Sequence, residues 1–154
     1  MFDSNWGSFR GATWREGLAI FASLKEEKKI FGVGPDCYAA YAYSVPELKQ
    51  MITMRTGGNA VARNAHNECI TYLVNSGVLG LGMFLGIFAS AVFRLIKGAA
   101  KEPLCYIFAA SLLSYFFHNQ FSFTQLESTP YLFMMLGMGE SMLQRSKMRE
   151  NLGQ

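Results

Sequence analysis

Residues 78–88 read Val78-Leu79-Gly80-Leu81-Gly82-Met83-Phe84-Leu85-Gly86-Ile87-Phe88, and this apolar run decides the fold. It lies within 25 consecutive residues, Cys69 to Phe93, that contain no Asp, Glu, Lys or Arg. An α-helix of about 20 mostly apolar residues crosses the hydrocarbon core of a bilayer. The stretch therefore predicts a transmembrane helix.

Two further uncharged stretches follow it. Pro103 to Leu126 covers 24 residues, and Ser128 to Gln144 covers 17 but for Glu140. A carboxylate at the middle of a bilayer costs roughly 3 kcal/mol, so we expect Glu140 near a helix end. The whole chain is 51% hydrophobic and only 16% charged, against roughly 25% charged in soluble domains. Three transmembrane helices within residues 69–144 are the expectation.

The basic residues indicate the orientation of these spans. Cytoplasmic loops of membrane proteins carry an excess of Lys and Arg. Here six such residues lie between the first two spans and after the third: Arg94, Lys97, Lys101, Arg145, Lys147 and Arg149. We therefore predict an all-α integral membrane protein with an extracytoplasmic helical loop at residues 1–68 and a cytoplasmic tail at residues 145–154.

The start of the chain suggests a fragment. Met1 to Arg10 carries charge and has no apolar centre, so it is neither a signal peptide nor a membrane anchor. A polar segment of 68 residues would need earlier helices to carry it across the membrane. The small residues Gly82 and Gly86 would pack closely against such helices. We expect a truncated C-terminal part of a longer protein.

The outer segment contains two helix-start patterns. Thr13 with Glu16, and Ser44 with Glu47, have the spacing of a capping box. The first predicts an amphipathic helix up to about Leu24, and the second a shorter helix that ends at Gly57-Gly58. Phe31-Gly32-Val33-Gly34-Pro35 predicts a turn.

Candidate chemistry lies in Arg63-Asn64-Ala65-His66-Asn67-Glu68. If the first membrane helix begins near Asn64, then Arg63, His66 and Asn67 share one helix face at the lipid–water boundary. The positive helix end and Arg63 would keep the imidazole of His66 neutral and able to accept a proton. The alternative is that His66 only caps a membrane helix.

Some classes of function are disfavoured. Cys37, Cys69 and Cys105 lack metal-ligand spacing, although Cys37 and Cys69 could pair if both lie outside the membrane. The net charge of +3 is spread in short groups, which is not typical of a nucleic-acid-binding surface.

Three blocks together resemble the C-terminal half of the O-antigen ligase and polymerase family of polytopic membrane proteins. The first two are Gly7-Ser8-Phe9-Arg10-Gly11-Ala12-Thr13-Trp14 and the Phe31 to Pro35 turn. The third is Ala65-His66-Asn67-Glu68 with the following Tyr72-Leu73-Val74-Asn75-Ser76-Gly77-Val78-Leu79-Gly80-Leu81. The order and spacing of the blocks, over nearly the whole chain, carry the resemblance.

The resemblance implies transfer of an undecaprenyl-diphosphate-linked glycan to an acceptor sugar hydroxyl, on lipid A core or a growing glycan, outside the bacterial inner membrane. No metal or cofactor is expected. His66 would be the catalytic base, with Arg10, Arg63, Asn67 and Trp14 binding substrate. The expected partners are the lipid-linked donor, the acceptor, membrane lipid and earlier transmembrane helices.

Two other hypotheses remain open. A transporter or lipid-glycan flippase would also have membrane helices rich in small residues, but it should carry polar groups at the midplane of its spans. A membrane scaffold would tolerate replacement of Arg10 and His66. The sequence does not separate ligase from polymerase, and it leaves the glycan, organism and oligomeric state open.

Overall fold

A computed structural model describes residues 6–58, 61–122 and 129–152. Over these residues the protein is all-α, as predicted, and contains no strand. It has seven helices: α1 (Trp6–Ser23), α2 (Glu26–Phe31), α3 (Tyr38–Ser44), α4 (Pro46–Thr56), α5 (Glu68–Gly98), α6 (Leu104–Asn119) and α7 (Thr129–Leu152). The described residues divide into an N-terminal unit, residues 6–58, 61–83 and 119–122, and a C-terminal unit, residues 84–118 and 129–152.

The start of α1 differs from the predicted capping box at Thr13. The helix begins at Trp6, although Phe9 has a φ of 69° that lies outside the right-handed helical region. The hydroxyl of Thr13 donates to the carbonyl of Arg10 at 2.9 Å, three residues back. Glu16 instead pairs with Arg55 of α4. Thr13 and Glu16 are therefore interior helix residues, and the predicted cap is wrong because a tertiary ion pair claims the carboxylate.

The second predicted helix is confirmed in its limits. Pro46 occupies the first turn of α4, and Gly57 follows it in a left-handed conformation with φ of 62°. These are the positions where Pro and Gly favour a helix start and a helix end. Ser44 does not cap this helix, because its hydroxyl donates to the carbonyl of Tyr41 at 2.7 Å.

A single apolar cluster holds the N-terminal unit together. It joins residues from α1, α3, α4, the loop after α4 and the start of α5: Ile20, Tyr38, Ala42, Leu48, Ile52, Ala62, Ala65 and Val74. Complete burial of a side chain such as Ile20 or Ile52 contributes roughly 1.5 to 3 kcal/mol. This cluster fixes α1 and the segment before α5 relative to each other.

The Phe31 to Pro35 turn packs against a break in α5. Gly77 has φ of 69° and ψ of −173°, which interrupts the helix. The amide of Val33 donates to the carbonyl of Val74, and that of Gly34 to Asn75, both at 3.0 Å. In an unbroken helix those carbonyls would accept from residues four positions later. The turn thus supplies the donors that the break removes.

The C-terminal unit is a three-helix bundle made of the later part of α5 with α6 and α7. Its core contains Phe88, Leu95, Cys105, Leu112 and Leu143. Arg94 of α5 pairs with Glu140 of α7 at 2.9 Å, and Lys101, after α5, pairs with Glu150 of α7. Tyr115 of α6 lies 3.5 Å from the hydroxyl of Thr129 at the start of α7. Successive helices therefore run in opposite directions.

Within the described residues, one helix is both long and apolar enough to cross a membrane. This helix is α5, with 31 residues. Helix α6 is apolar but has only 16 residues. The units above are defined by contacts rather than by a membrane, so the predicted boundaries after residues 68 and 144 stay predictions.

Candidate functional site

His66 lies in a constrained segment just before α5. Its backbone has a φ of 49°, a left-handed conformation that is uncommon for residues other than Gly. The amide of His66 donates to the side-chain oxygen of Asn64 at 3.0 Å, and the amide of Ala65 donates to the hydroxyl of Thr71 at 3.2 Å. A backbone in a sparsely populated region persists only where its surroundings fix it. Here side chains on both sides of His66 do so.

Trp14 ties α1 to the same segment. Its indole nitrogen donates to the carbonyl of His66 at 3.3 Å. The Trp14 ring also lies against that of Phe121, with centroids 5.9 Å apart. Trp14, predicted to bind substrate, therefore helps to position His66. Whether it also contacts substrate stays a prediction.

The charges around His66 favour a neutral ring. The residue is exposed, yet neighbouring protein atoms displace part of its water. This desolvation lowers the pKa of His66 below the ordinary 6.5, and the positive charges of Arg10 and Arg55 lower it further. Arg10 thus lies within electrostatic range of His66, although 56 positions separate them in the sequence. The neutral imidazole retains a lone pair that can accept a proton at pH 7.

Arg55 and Glu16 form an ion pair that the sequence reasoning missed. The guanidinium of Arg55 donates to both carboxylate oxygens of Glu16, at 2.5 and 2.9 Å. The Glu16 side chain is only 5% exposed. The hydrogen bonds to Glu16 raise the pKa of Arg55, so the guanidinium stays charged. The residues are 39 positions apart, and no local pattern could have predicted the pair.

Tyr38 lies in the same buried region. Burial raises the pKa of its hydroxyl well above the ordinary value, and the charge of Glu16 raises it further, while Arg55 acts in the opposite direction. The hydroxyl therefore stays protonated. Glu68, the first residue of α5, is also buried and interacts with other groups. Neither residue was a candidate from the sequence.

The predicted helix face of Arg63, His66 and Asn67 is wrong. Helix α5 begins at Glu68, so these three residues precede it. Asn67 caps α5 instead: its side-chain oxygen accepts from the amide of Ile70 at 3.0 Å, and its amide donates to the carbonyl of Gln120 at 2.9 Å. Arg63 is exposed in the loop. Substrate binding by Arg63 and Asn67 stays a prediction.

The cysteines and other potential metal ligands do not form a centre in the described chain. Cys37 and Cys69 are half-buried thiols, and Cys105 is a buried one. Across residues 6–58, 61–122 and 129–152, no three His, Cys, Asp or Glu side chains are grouped as a metal site.

No family model matches this sequence, and no match was found among curated proteins or solved structures. Function is therefore argued from the residues around His66.

Proposed function

We propose that this chain transfers a polyprenyl-diphosphate-linked glycan to an acceptor sugar hydroxyl on the outer side of the bacterial inner membrane. The observation that carries the proposal is the neutral imidazole of His66, held in a left-handed backbone within range of two guanidinium groups. The resemblance to the O-antigen ligase and polymerase family supplies the substrate class.

In this proposal His66 acts as general base. Its free ring nitrogen accepts the proton of the acceptor hydroxyl as the hydroxyl oxygen attacks the anomeric carbon of the donor sugar. The bond from that carbon to the diphosphate breaks, and the diphosphate leaves with the bonding pair. General-base help of this kind contributes roughly 10²- to 10⁴-fold.

Arg10 stabilises the departing diphosphate. One charge-assisted hydrogen bond from a guanidinium is worth about 1.5 to 3 kcal/mol. Arg55 is already bound to Glu16, so it contributes its field rather than a free donor. Arg63 and Trp14 border the substrate, and Asn67 acts by holding the start of α5 in place. This chemistry uses neither metal nor cofactor.

The proposal embeds α5, α6 and α7 in the membrane as three spans. Large apolar side chains on the C-terminal unit point outward, which is costly in water but favourable in lipid. They are Ile87, Phe93, Ile96, Leu104, Ile107, Phe117, Phe133 and Met138. Arg94 and Lys101 contact acidic residues near the end of α7, where Lys and Arg also cluster. The positive-inside rule assigns this end to the cytoplasm.

Earlier membrane helices, as in the family, would complete the donor site. The acceptor is a sugar of lipid A core for a ligase, or of a growing glycan for a polymerase. Both use the same attack on a diphosphate-linked sugar, so the proposed roles of His66 and Arg10 are common to them.

Replacement of the two central residues tests this function. In the full-length protein in its own cells, we expect His66→Ala and Arg10→Ala to abolish attachment or elongation of the surface glycan, while the amount of protein in the membrane stays normal. Gel analysis of the glycan and immunoblotting measure the two.

Arg15→Ala is the matched control, because Arg15 is an exposed arginine of the same helix. It should leave the glycan unchanged. Normal glycan in both His66→Ala and Arg10→Ala would contradict the proposal. Transfer from purified donor in the wild type, lost in the variants, would separate a transferase from a flippase.

A further inference from the structure

A cavity of about 270 Å³ opens in the C-terminal unit, between the last turns of α5 and the second half of α7. Its walls carry four cations and two carboxylates: Arg94, Lys97, Lys101, Lys147, Glu140 and Glu150. The proposed chemistry at His66 does not involve this cavity.

The charges of the cavity do not cancel. Arg94 is paired with Glu140, and Lys101 with Glu150. Lys97 and Lys147 have no carboxylate partner among the residues that the structure describes, and the ammonium of Lys97 lies 5.2 Å above the ring of Phe93. Two positive charges therefore face the cavity without an acidic partner.

A helix C-terminus by itself attracts cations, because its free carbonyls carry partial negative charge. That effect explains lysines near the ends of α5 and α7. It does not explain why cations from both helices surround one concave space together with the hydroxyl-bearing Ser146. Convergent ammonium, guanidinium and hydroxyl donors are the groups that bind phosphate oxygens.

We propose that this cavity binds a phosphate-bearing anion, with Lys97 and Lys147 as its main charge partners. Two sources have this chemistry: the headgroup of an anionic phospholipid, and soluble phosphate. The exposed apolar side chains of Phe93 and Ile96, on the same helix as Lys97, offer a surface for acyl chains. Basic pockets between membrane helices bind anionic headgroups in this manner.

The test uses the full chain in detergent micelles. It is titrated with phosphatidylglycerol in one arm, and with phosphatidylcholine plus inorganic phosphate in the other, and native mass spectrometry counts the bound species. The double variant Lys97→Gln/Lys147→Gln removes the two uncompensated charges. Arg145→Gln/Arg149→Gln is the matched control, since both arginines are exposed on α7 and neither lines the cavity.

We expect the cavity variant to weaken binding by about tenfold or more, the effect of losing one charge-assisted hydrogen bond, and the control to bind nearly as the wild type. Lys97→Arg/Lys147→Arg should restore binding. Loss in the phosphatidylglycerol arm identifies a lipid headgroup, and loss in the phosphate arm a soluble anion.

Equal weakening in the cavity variant and the control would overturn the proposal, because it would show only general attraction to positive charge. Absence of binding in both arms would overturn it as well. Neither result depends on glycan transfer, so failure here is distinguishable from failure of the proposed function.

Discussion

At the scale of single residues, the notable feature is the backbone of His66. Left-handed residues other than Gly cost free energy and concentrate at functional sites. At His66 this conformation is fixed by the side chain of Asn64, and Trp14 binds the carbonyl. The ring remains accessible to solvent while its backbone is held. A base that must meet a substrate hydroxyl needs both properties.

The charge of Arg10 should be measurable in the titration of His66. With its pKa below 6.5, the folded protein disfavours the protonated ring. The stability that the neutral ring contributes is then complete above pH 6.5 and is lost as the pH falls through the lowered pKa. Removal of a neighbouring positive charge by Arg10→Gln should raise this pKa toward 6.5.

NMR titration of the imidazole measures this shift, in a His118→Gln background that leaves one histidine. Arg15→Gln is the control and should not move the midpoint. A His66 midpoint at or above 6.5 in the parent protein, or the same midpoint with and without Arg10, would contradict the electrostatic coupling. If His66 is the base, the acid limb of the transfer rate should follow the same change.

At the scale of elements, the contact between the glycine turn and α5 determines the shape of the N-terminal unit. A Cβ built on Gly77 would lie 2.2 Å from the carbonyl oxygen of Ile30, and one built on Gly32 would lie 2.2 Å from that of Asn75. Two backbones therefore approach each other where only glycine fits. The φ and ψ of Gly77 belong to a region that is essentially restricted to glycine.

Gly77→Ala should therefore destabilise the protein strongly. Backbone strain alone costs about 1 to 3 kcal/mol, and the clash with Ile30 adds to it. Gly82→Ala in the same helix is the control: in the described part of the chain nothing lies within 4 Å of its added Cβ. That change should be neutral or stabilise by about 0.5 to 1 kcal/mol.

Thermal unfolding in detergent, followed by circular dichroism, compares the two variants. Equal midpoints for Gly77→Ala and Gly82→Ala would show that the turn does not depend on glycine at position 77. A large loss in Gly82→Ala alone would show that this face of α5 packs against another helix.

At the scale of the whole molecule, the two units have different chemistry. The N-terminal unit buries an ion pair, Glu16 with Arg55, and carries His66 at its surface. The C-terminal unit exposes large apolar side chains and has its cations near one end of the bundle. This contrast is expected if one unit faces water and the other faces lipid.

Labelling of engineered cysteines tests the orientation. In a background with Cys37, Cys69 and Cys105 replaced by Ser, Asn64→Cys should react with a membrane-impermeant maleimide added to intact spheroplasts. Asn151→Cys, near the end of α7, should react only after the membrane is made permeable. The reverse pattern would place His66 in the cytoplasm, and reaction of both sites in intact spheroplasts would rule out three spans.

The sequence alone determined the features that depend on local composition and spacing. It predicted the all-α class, the long apolar helix that contains residues 78–88, and the limits of α4 at Pro46 and Gly57. Apolar runs, proline and glycine act through the backbone within a few residues, so their consequences can be predicted without the rest of the chain. It also singled out His66 and Arg10, which the structure brings within electrostatic range of each other.

Only the tertiary structure decided what distant residues do to one another. Glu16 had the spacing of a capping residue, but Arg55 of another helix binds it. Asn67 was expected beside His66 on a helix face, but it caps α5 and reaches Gln120. The break at Gly77 depends on a turn more than 40 residues earlier. Such contacts form because packing brings side chains and backbones together in space, and sequence separation carries no record of it.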